Sequence, residues 1–185
     1  SIPHEARLER YGLDFGFSND PSSLVAVYKH NDGWIIDELI YSTGLTNPKI
    51  ASFILNLPKA LVIADSAEPK SIAEIAAHGI LISGARKGQD SVLYGIQFVQ
   101  DQKISVTKNS VNTIKEYRNY LWMTDNNDKI INEPIGIMDH SMSAIRYALT
   151  SIYPDYRMRT TPPKFATGKF ILDQLERPEE DSYYS

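Results

Sequence analysis

Leu61-Val62-Ile63-Ala64-Asp65-Ser66 is a continuous apolar run closed by a carboxylate, and Pro69 stands just beyond it to open a helix. Such a run marks a strand buried on both faces, because the apolar/polar alternation is lost when neither face meets water. Helical spacing from Pro69 through about His78, then a second apolar stretch at Ile80 to Ser83, completes a strand, helix, strand unit and so a parallel pair. Tyr11-Gly12-Leu13-Asp14-Phe15-Gly16 repeats the theme of a short apolar strand ending in aspartate. Ser23 to His30 and Gly33 to Tyr41 are rich in β-branched and aromatic residues, and Asn31-Asp32-Gly33 between them is a hairpin signal. With the run that begins at Tyr11 they make a three-strand antiparallel meander. The expected class is α/β: a mixed central sheet of three antiparallel strands plus parallel strands, flanked by helices.

Further along, Thr46-Asn47-Pro48 places a capping residue and an early proline before apolar residues at helical spacing, which predicts a helix of about nine residues. Other helices are expected over about Gln89 to Val99, Val111 to Leu121 and His140 to Ile152, the last stopped by Pro154, with a strand at Lys103 to Val106. In the helix from Val111, the residues Val111, Ile114, Tyr117, Arg118 and Leu121 share one face. Trp122 to Ile131, with Asp125-Asn126-Asn127-Asp128 at its centre, reads as a protruding hairpin. Residues 1–10 are polar and charged and are expected to be a linker remnant, with the first strand beginning at about Tyr11. The folded domain would span 11–153, and the polar, proline-containing residues 154–185 would form an extended or partly disordered arm.

The chain of 185 residues, 42% of them apolar, is long enough for one domain with a sizeable core. It contains no cysteine, so disulfides, thiolate zinc sites and a cysteine nucleophile are excluded. Any metal must bind through oxygen or histidine, which points to Mg2+ or Mn2+ rather than zinc. No apolar stretch approaches the roughly 20 residues of a membrane helix, and the amino terminus lacks a signal-peptide pattern; a soluble, cytoplasmic protein with no membrane partner is expected. The formal net charge of -4 argues mildly against a nucleic-acid coat protein but not against a nuclease. A metal site needs clustered carboxylates, and bound cations reverse the local field.

Candidate chemistry gathers in three segments. A charge at the end of a buried strand is costly unless paired or metal-bound, and Asp14 and Asp65 each hold that position. Each also has a plain structural reading, a strand-terminating turn for Asp14 and an Asx turn for Asp65. In the third segment Asp139 and His140 lie four and three residues before Ser143, so at least two of these groups can share a helix face. Asp139 alone also fits the N-cap of that helix. His140 is a candidate proton shuttle or a donor to a metal-binding group, its plain reading being a surface histidine, and Arg146 and Tyr147 are expected to lock the helix to the sheet. The glycine-bounded loop Gly84-Ala85-Arg86-Lys87-Gly88 enters a helix and would suit a phosphate group. It lacks the spacing of a Walker A loop.

In order along the chain, Tyr-Gly-Leu-Asp14-Phe-Gly, Ile-Ala-Asp65-Ser-Ala-Glu-Pro-Lys, Arg86-Lys87-Gly, Asn132-Glu-Pro-Ile and Asp139-His140-Ser-Met-Ser143-Ala-Ile-Arg-Tyr-Ala resemble the carboxy-terminal nuclease domain of phage terminase large subunits, within the ribonuclease H and retroviral integrase superfamily. The resemblance covers about residues 9–152. It implies a ribonuclease H-like fold and an endonuclease that cuts concatemeric double-stranded DNA when packaging begins and ends. It further implies a two-metal site using Mg2+ or Mn2+, an upstream ATPase domain, the small terminase subunit and the portal protein as partners, and the host cytoplasm as the compartment. Asp14 and Asp65 fall on two of the family's metal-binding aspartates and His140 on the histidine preceding the third. Where the family pattern reads His-x-x-Asp-Ala, this chain has His140-Ser-Met-Ser143-Ala, so a neutral hydroxyl stands in the place of an acid. Arg86, Lys87 and Lys129 of the expected hairpin are the candidate DNA-backbone contacts.

Three explanations of Ser143 stay open: a natural variant that uses Asp139 instead, an introduced inactivating substitution, or a domain that grips DNA or docks on the portal without cutting. A different ribonuclease H-like nuclease of resolvase type is the enzymatic alternative. Asp14-Phe-Gly-Phe-Ser also suggests the phosphate loop of actin-like kinases, but that fold needs a second such loop, which the sequence lacks.

Overall fold

A computed structural model of the chain describes residues 1–86, 91–121 and 139–153. The elements run β1 (Arg7–Asp14), β2 (Ser22–His30), β3 (Gly33–Ser42), α1 (Asn47–Leu55), β4 (Leu61–Ala64), α2 (Pro69–Ala77), β5 (Ile82–Gly84), α3 (Ser91–Gln100), β6 (Ile104–Val106), α4 (Val111–Leu121) and α5 (His140–Ile152). The six strands form one sheet in the order β5-β4-β1-β2-β3-β6. The meander is present, with β1, β2 and β3 antiparallel in succession. β4 adds parallel to β1, and β5 parallel to β4; β6 adds parallel to β3 on the far edge. The mixed sheet expected from the sequence is therefore observed. β1 starts at Arg7, ahead of the expected start near Tyr11. The residues of 7–10 pair with β2 despite their polarity, because backbone ladders do not require apolar side chains at a strand's exposed beginning.

Alternation along the strands divides the interior into two layers. Val25, Val27, Trp34 and Ile36 face α3, α4 and α5 and pack with Ile96, Val99, Tyr117, Met142, Ile145 and Leu149. Tyr11, Leu13, Leu24, Val62 and Ala64 face the other way, onto Ile50 and Ile54 of α1 and Ile75 of α2. Since Leu13 and Ala64 look toward α1 and α2, their neighbours Asp14 and Asp65 look toward α5. The backbones of α5 and β1 approach so closely that a Cβ built on Gly12 would collide with the Ala144 carbonyl oxygen. Glycine at position 12 is what lets the helix settle onto the strand.

The sequence-based face of α4 needs correction. Val111 is 66% exposed, whereas Thr113, Glu116 and Tyr117 are buried. An apolar count favoured Val111, but the helix turns its polar Thr113 and Glu116 inward because β3 and α5 offer them hydrogen-bond partners. The expected hairpin at 122–131, the segment Asn132 to Ile135 and the arm at 154–185 lie outside the described residues. Among the described residues no helix is long and apolar enough to cross a membrane.

Candidate active site

Three parallel strand ends line up on one edge of the sheet. Leu13 is in register with Ala64, and Ala64 with Gly84. The Asp65 amide donates to the Leu13 carbonyl (3.2 Å) and the Ala85 amide to that of Ala64 (2.7 Å). Asp14 and Asp65 thus leave adjacent strands, roughly 4.8 Å apart, at the same level. Arg86 follows β5 at the same edge; Lys87 and Lys129 lie outside the described residues. The carboxyl edge of parallel strands is where open α/β sheets place their ligands, since loops diverge there and the backbone leaves room.

Helix α5 completes the site from above. His140 Nδ1 lies 2.9 Å from Asp14 Oδ2, donating to the carboxylate, and the Tyr147 hydroxyl reaches Oδ1 at 3.5 Å. Both oxygens of Asp14 are therefore met by side chains two turns apart on one helix. Tyr147 does more than lock the helix to the sheet, as the sequence suggested; Arg146 packs against Gly95 of α3, a helix-to-helix contact rather than the expected one to the sheet. The second imidazole nitrogen of His140 sits 3.7 Å from Asp20, so the ring bridges two acids.

Asp14 is only 9% exposed. Burial pushes its carboxyl up from 3.8 to about 6; the hydrogen bond and charge of His140 pull the other way, and Asp65 and Asp139 push it further up. The same burial raises the Tyr147 phenol to about 12, with help from Asp14. Asp65 carries out its Asx turn, Oδ1 accepting from the Ala67 amide at 2.9 Å, which leaves its other oxygen clear of that bond. Glu68 stands at the N-cap position of α2 with no side-chain cap bond. Ser143 is 7% exposed, one turn into α5, its amide bonded to the Asp139 carbonyl.

The donor set suits a hard cation. Carboxylates on neighbouring strand ends, one of them buried and repelled by two others, are an arrangement that a divalent ion stabilises. Asp14 and Asp65 fit that role. No group of three or more His, Cys, Asp or Glu side chains poised to hold a metal occurs among the described residues. That agrees with a serine at position 143, because a hydroxyl adds no charge.

Sequence reasoning missed Glu116 and Glu38. Both are acids that point inward from α4 and β3, bonded to helix starts: Glu116 accepts from Tyr41 Oη and the Met142 amide, Glu38 from the Thr113 amide. The usable signal was Glu116 one position before Tyr117 on a helix of low apolar content, but only the tertiary partners give it meaning.

Comparison with known proteins places this geometry in a family. A family model described as Terminase RNAseH like domain matches residues 14–151. The terminase large subunit of Bacillus phage SPP1 is 34% identical over 148 residues, covering 75% of this chain and 35% of that protein. The PBSX phage terminase large subunit of Bacillus subtilis strain 168 is 32% identical over 145 residues, covering 76% and 34% respectively. The chain spans about a third of the length of these curated relatives. Among solved structures, the SPP1 g2p (large terminase) nuclease domain with bound Mn superposes with a TM-score of 0.62 at 27% identity, covering 79% of this chain and 86% of that one. The large terminase of a thermophilic bacteriophage shares the fold, with a TM-score of 0.61 at 19% identity over 82% of this chain and 41% of its own. With a matched family segment that begins at Asp14 and runs through α5 to Ser151, this chain belongs to the RNase H-like domain family of terminases.

Proposed function

We propose that this chain is a divalent-metal-dependent endodeoxyribonuclease, the nuclease domain of a terminase large subunit that cuts concatemeric double-stranded DNA as packaging starts and ends. The observation that carries the reading is the buried Asp14 carboxylate, held on both oxygens by α5 and set level with Asp65 on the neighbouring strand end. The bound Mn of the SPP1 nuclease domain supports a divalent cation here as well. Asp14 and Asp65 would hold it, and it would supply activation of water and stabilisation of the leaving 3′ oxygen. His140 orients Asp14 and, bridging it to Asp20, offers a route for a proton out of the site. Arg86, Lys87 and Lys129 would contact the DNA backbone without reading bases, which makes binding salt-sensitive and weakly sequence-specific. The working context would be a packaging motor in the host cytoplasm, with an upstream ATPase domain, the small subunit and the portal protein.

Ser143 favours a second reading. With one acid fewer the domain would cut slowly, or serve only to grip DNA or dock on the portal. A plasmid-cleavage assay in Mn2+ separates the two. Ser143→Asp should cut, with EDTA and Asp14→Asn each abolishing the reaction. Absence of metal-dependent cutting by a folded Ser143→Asp protein, together with DNA binding indifferent to chelator, would favour the gripping module.

A further inference from the structure

The first turn of α5 is capped from outside. Asp139 occupies the N-cap position but makes no side-chain cap hydrogen bond. The unpaired amides of that turn find Glu116 of α4 instead: the Met142 amide donates to Oε2 at 3.1 Å, and the Ser141 amide also bonds to this carboxylate. Oε1 accepts the Tyr41 hydroxyl at 2.7 Å. Glu116 is 3% exposed, and no lysine or arginine pairs with it among the described residues. Its charge is carried by the start of α5, where unsatisfied amides and the helix dipole favour an anion.

The same device recurs one step back. Glu38 of β3 takes the Thr113 amide (2.6 Å) and hydroxyl (2.7 Å) on Oε2 and the Asn112 side chain on Oε1, so it caps the start of α4. The Thr113 hydroxyl lies 3.0 Å from that of Ser141, which lies 2.9 Å from Ser23 on β2, beside Asp14 in the ladder. Buried Glu116 and half-buried Glu38 thus tie sheet, α4 and α5 together at the end of α5 that carries His140.

We propose that Glu116 is a positioning residue for the metal site: by capping α5 it fixes His140 against Asp14, and with it the carboxylate that stands level with Asp65. This rests on the metal-dependent reading above.

The test uses the whole chain, with thermal unfolding in EDTA and Mn2+ titration by calorimetry. A helix that loses its own cap drops in Tm by about 3 °C. Asp139→Ala should instead leave Tm within about 1 °C, because Glu116 rather than Asp139 meets the amides of that turn. Glu116→Ala should lower Tm and weaken Mn2+ about tenfold. Glu116→Gln keeps an oxygen for the Met142 amide and should recover most of that affinity. If Glu116→Ala does not fold, Tyr41→Phe, which frees one side of the carboxylate, should still weaken Mn2+ severalfold. The proposal is overturned if Asp139→Ala loses several degrees of Tm, or if folded Glu116 or Tyr41 variants bind Mn2+ like the parent. Should neither the parent nor Ser143→Asp bind Mn2+, the metal-dependent reading itself fails, and the Tm of Asp139→Ala still decides which acid caps α5.

Discussion

Asp14→Asn should stabilise this protein at neutral pH in the absence of metal. The Asp14 carboxyl is 9% exposed and titrates near 6 in the fold rather than 3.8. A folded-state pKa above the unfolded one means that the fold prefers the protonated form. The contribution to stability is complete below about 3.8 and is lost as pH rises through about 6, so at pH 7.5 the ionised carboxylate works against folding. That displacement corresponds to a ceiling of about 3 kcal/mol. The asparagine exchanges a charge-assisted bond from His140 for a neutral one, which offsets about 1 kcal/mol of it. Urea unfolding in EDTA should therefore find the variant about 1–2 kcal/mol more stable at pH 7.5, the difference shrinking toward zero or reversing at pH 4. Saturating Mn2+ should narrow the gap from the other side, because only the parent gains from binding. A variant less stable than the parent at pH 7.5, or a difference that does not change between the two pH values, would overturn this account of Asp14.

Two packing predictions accompany it. Gly12→Ala drives a methyl into the Ala144 carbonyl oxygen, so α5 must lift from β1; a loss of about 2–3 kcal/mol in urea unfolding and a weaker His140 to Asp14 contact by NMR are expected. Thr113→Val removes the hydroxyl that reaches Glu38 and Ser141 while keeping side-chain volume. It should cost about 1–3 kcal/mol by the same assay, and parental stability would show that the buried chain of hydroxyls does not hold α4 to α5.

The strands and their terminal aspartates were legible because each signal is local. Leu61 to Ala64 has too few polar residues to face water on either side, and the Asn31-Asp32-Gly33 turn admits a hairpin whatever lies elsewhere; Asn31 indeed adopts a positive φ of 50°. Asp139 was legible as an N-cap by position, yet its side chain does not cap, since Glu116 already meets the amides of that turn. The face of α4 was misread for the same reason. Counting apolar residues assumes that burial follows hydrophobicity, and Thr113 and Glu116 are buried by hydrogen bonding instead.

Short-range patterns sufficed for the α/β class, the meander, the parallel unit and the two aspartates at strand ends, all set by periodicity and turn chemistry over a few residues. The motif order that ties the chain to terminases is equally a property of the linear chain. The pairing of Leu13 with Ala64, which stands Asp14 and Asp65 side by side, exists only once the sheet has assembled. So does the seat of α5 on Gly12, which brings His140 and Tyr147 to the two oxygens of one carboxylate. The α5 contacts join residues more than a hundred positions apart, and their geometry depends on the packing of the whole sheet rather than on any local stretch.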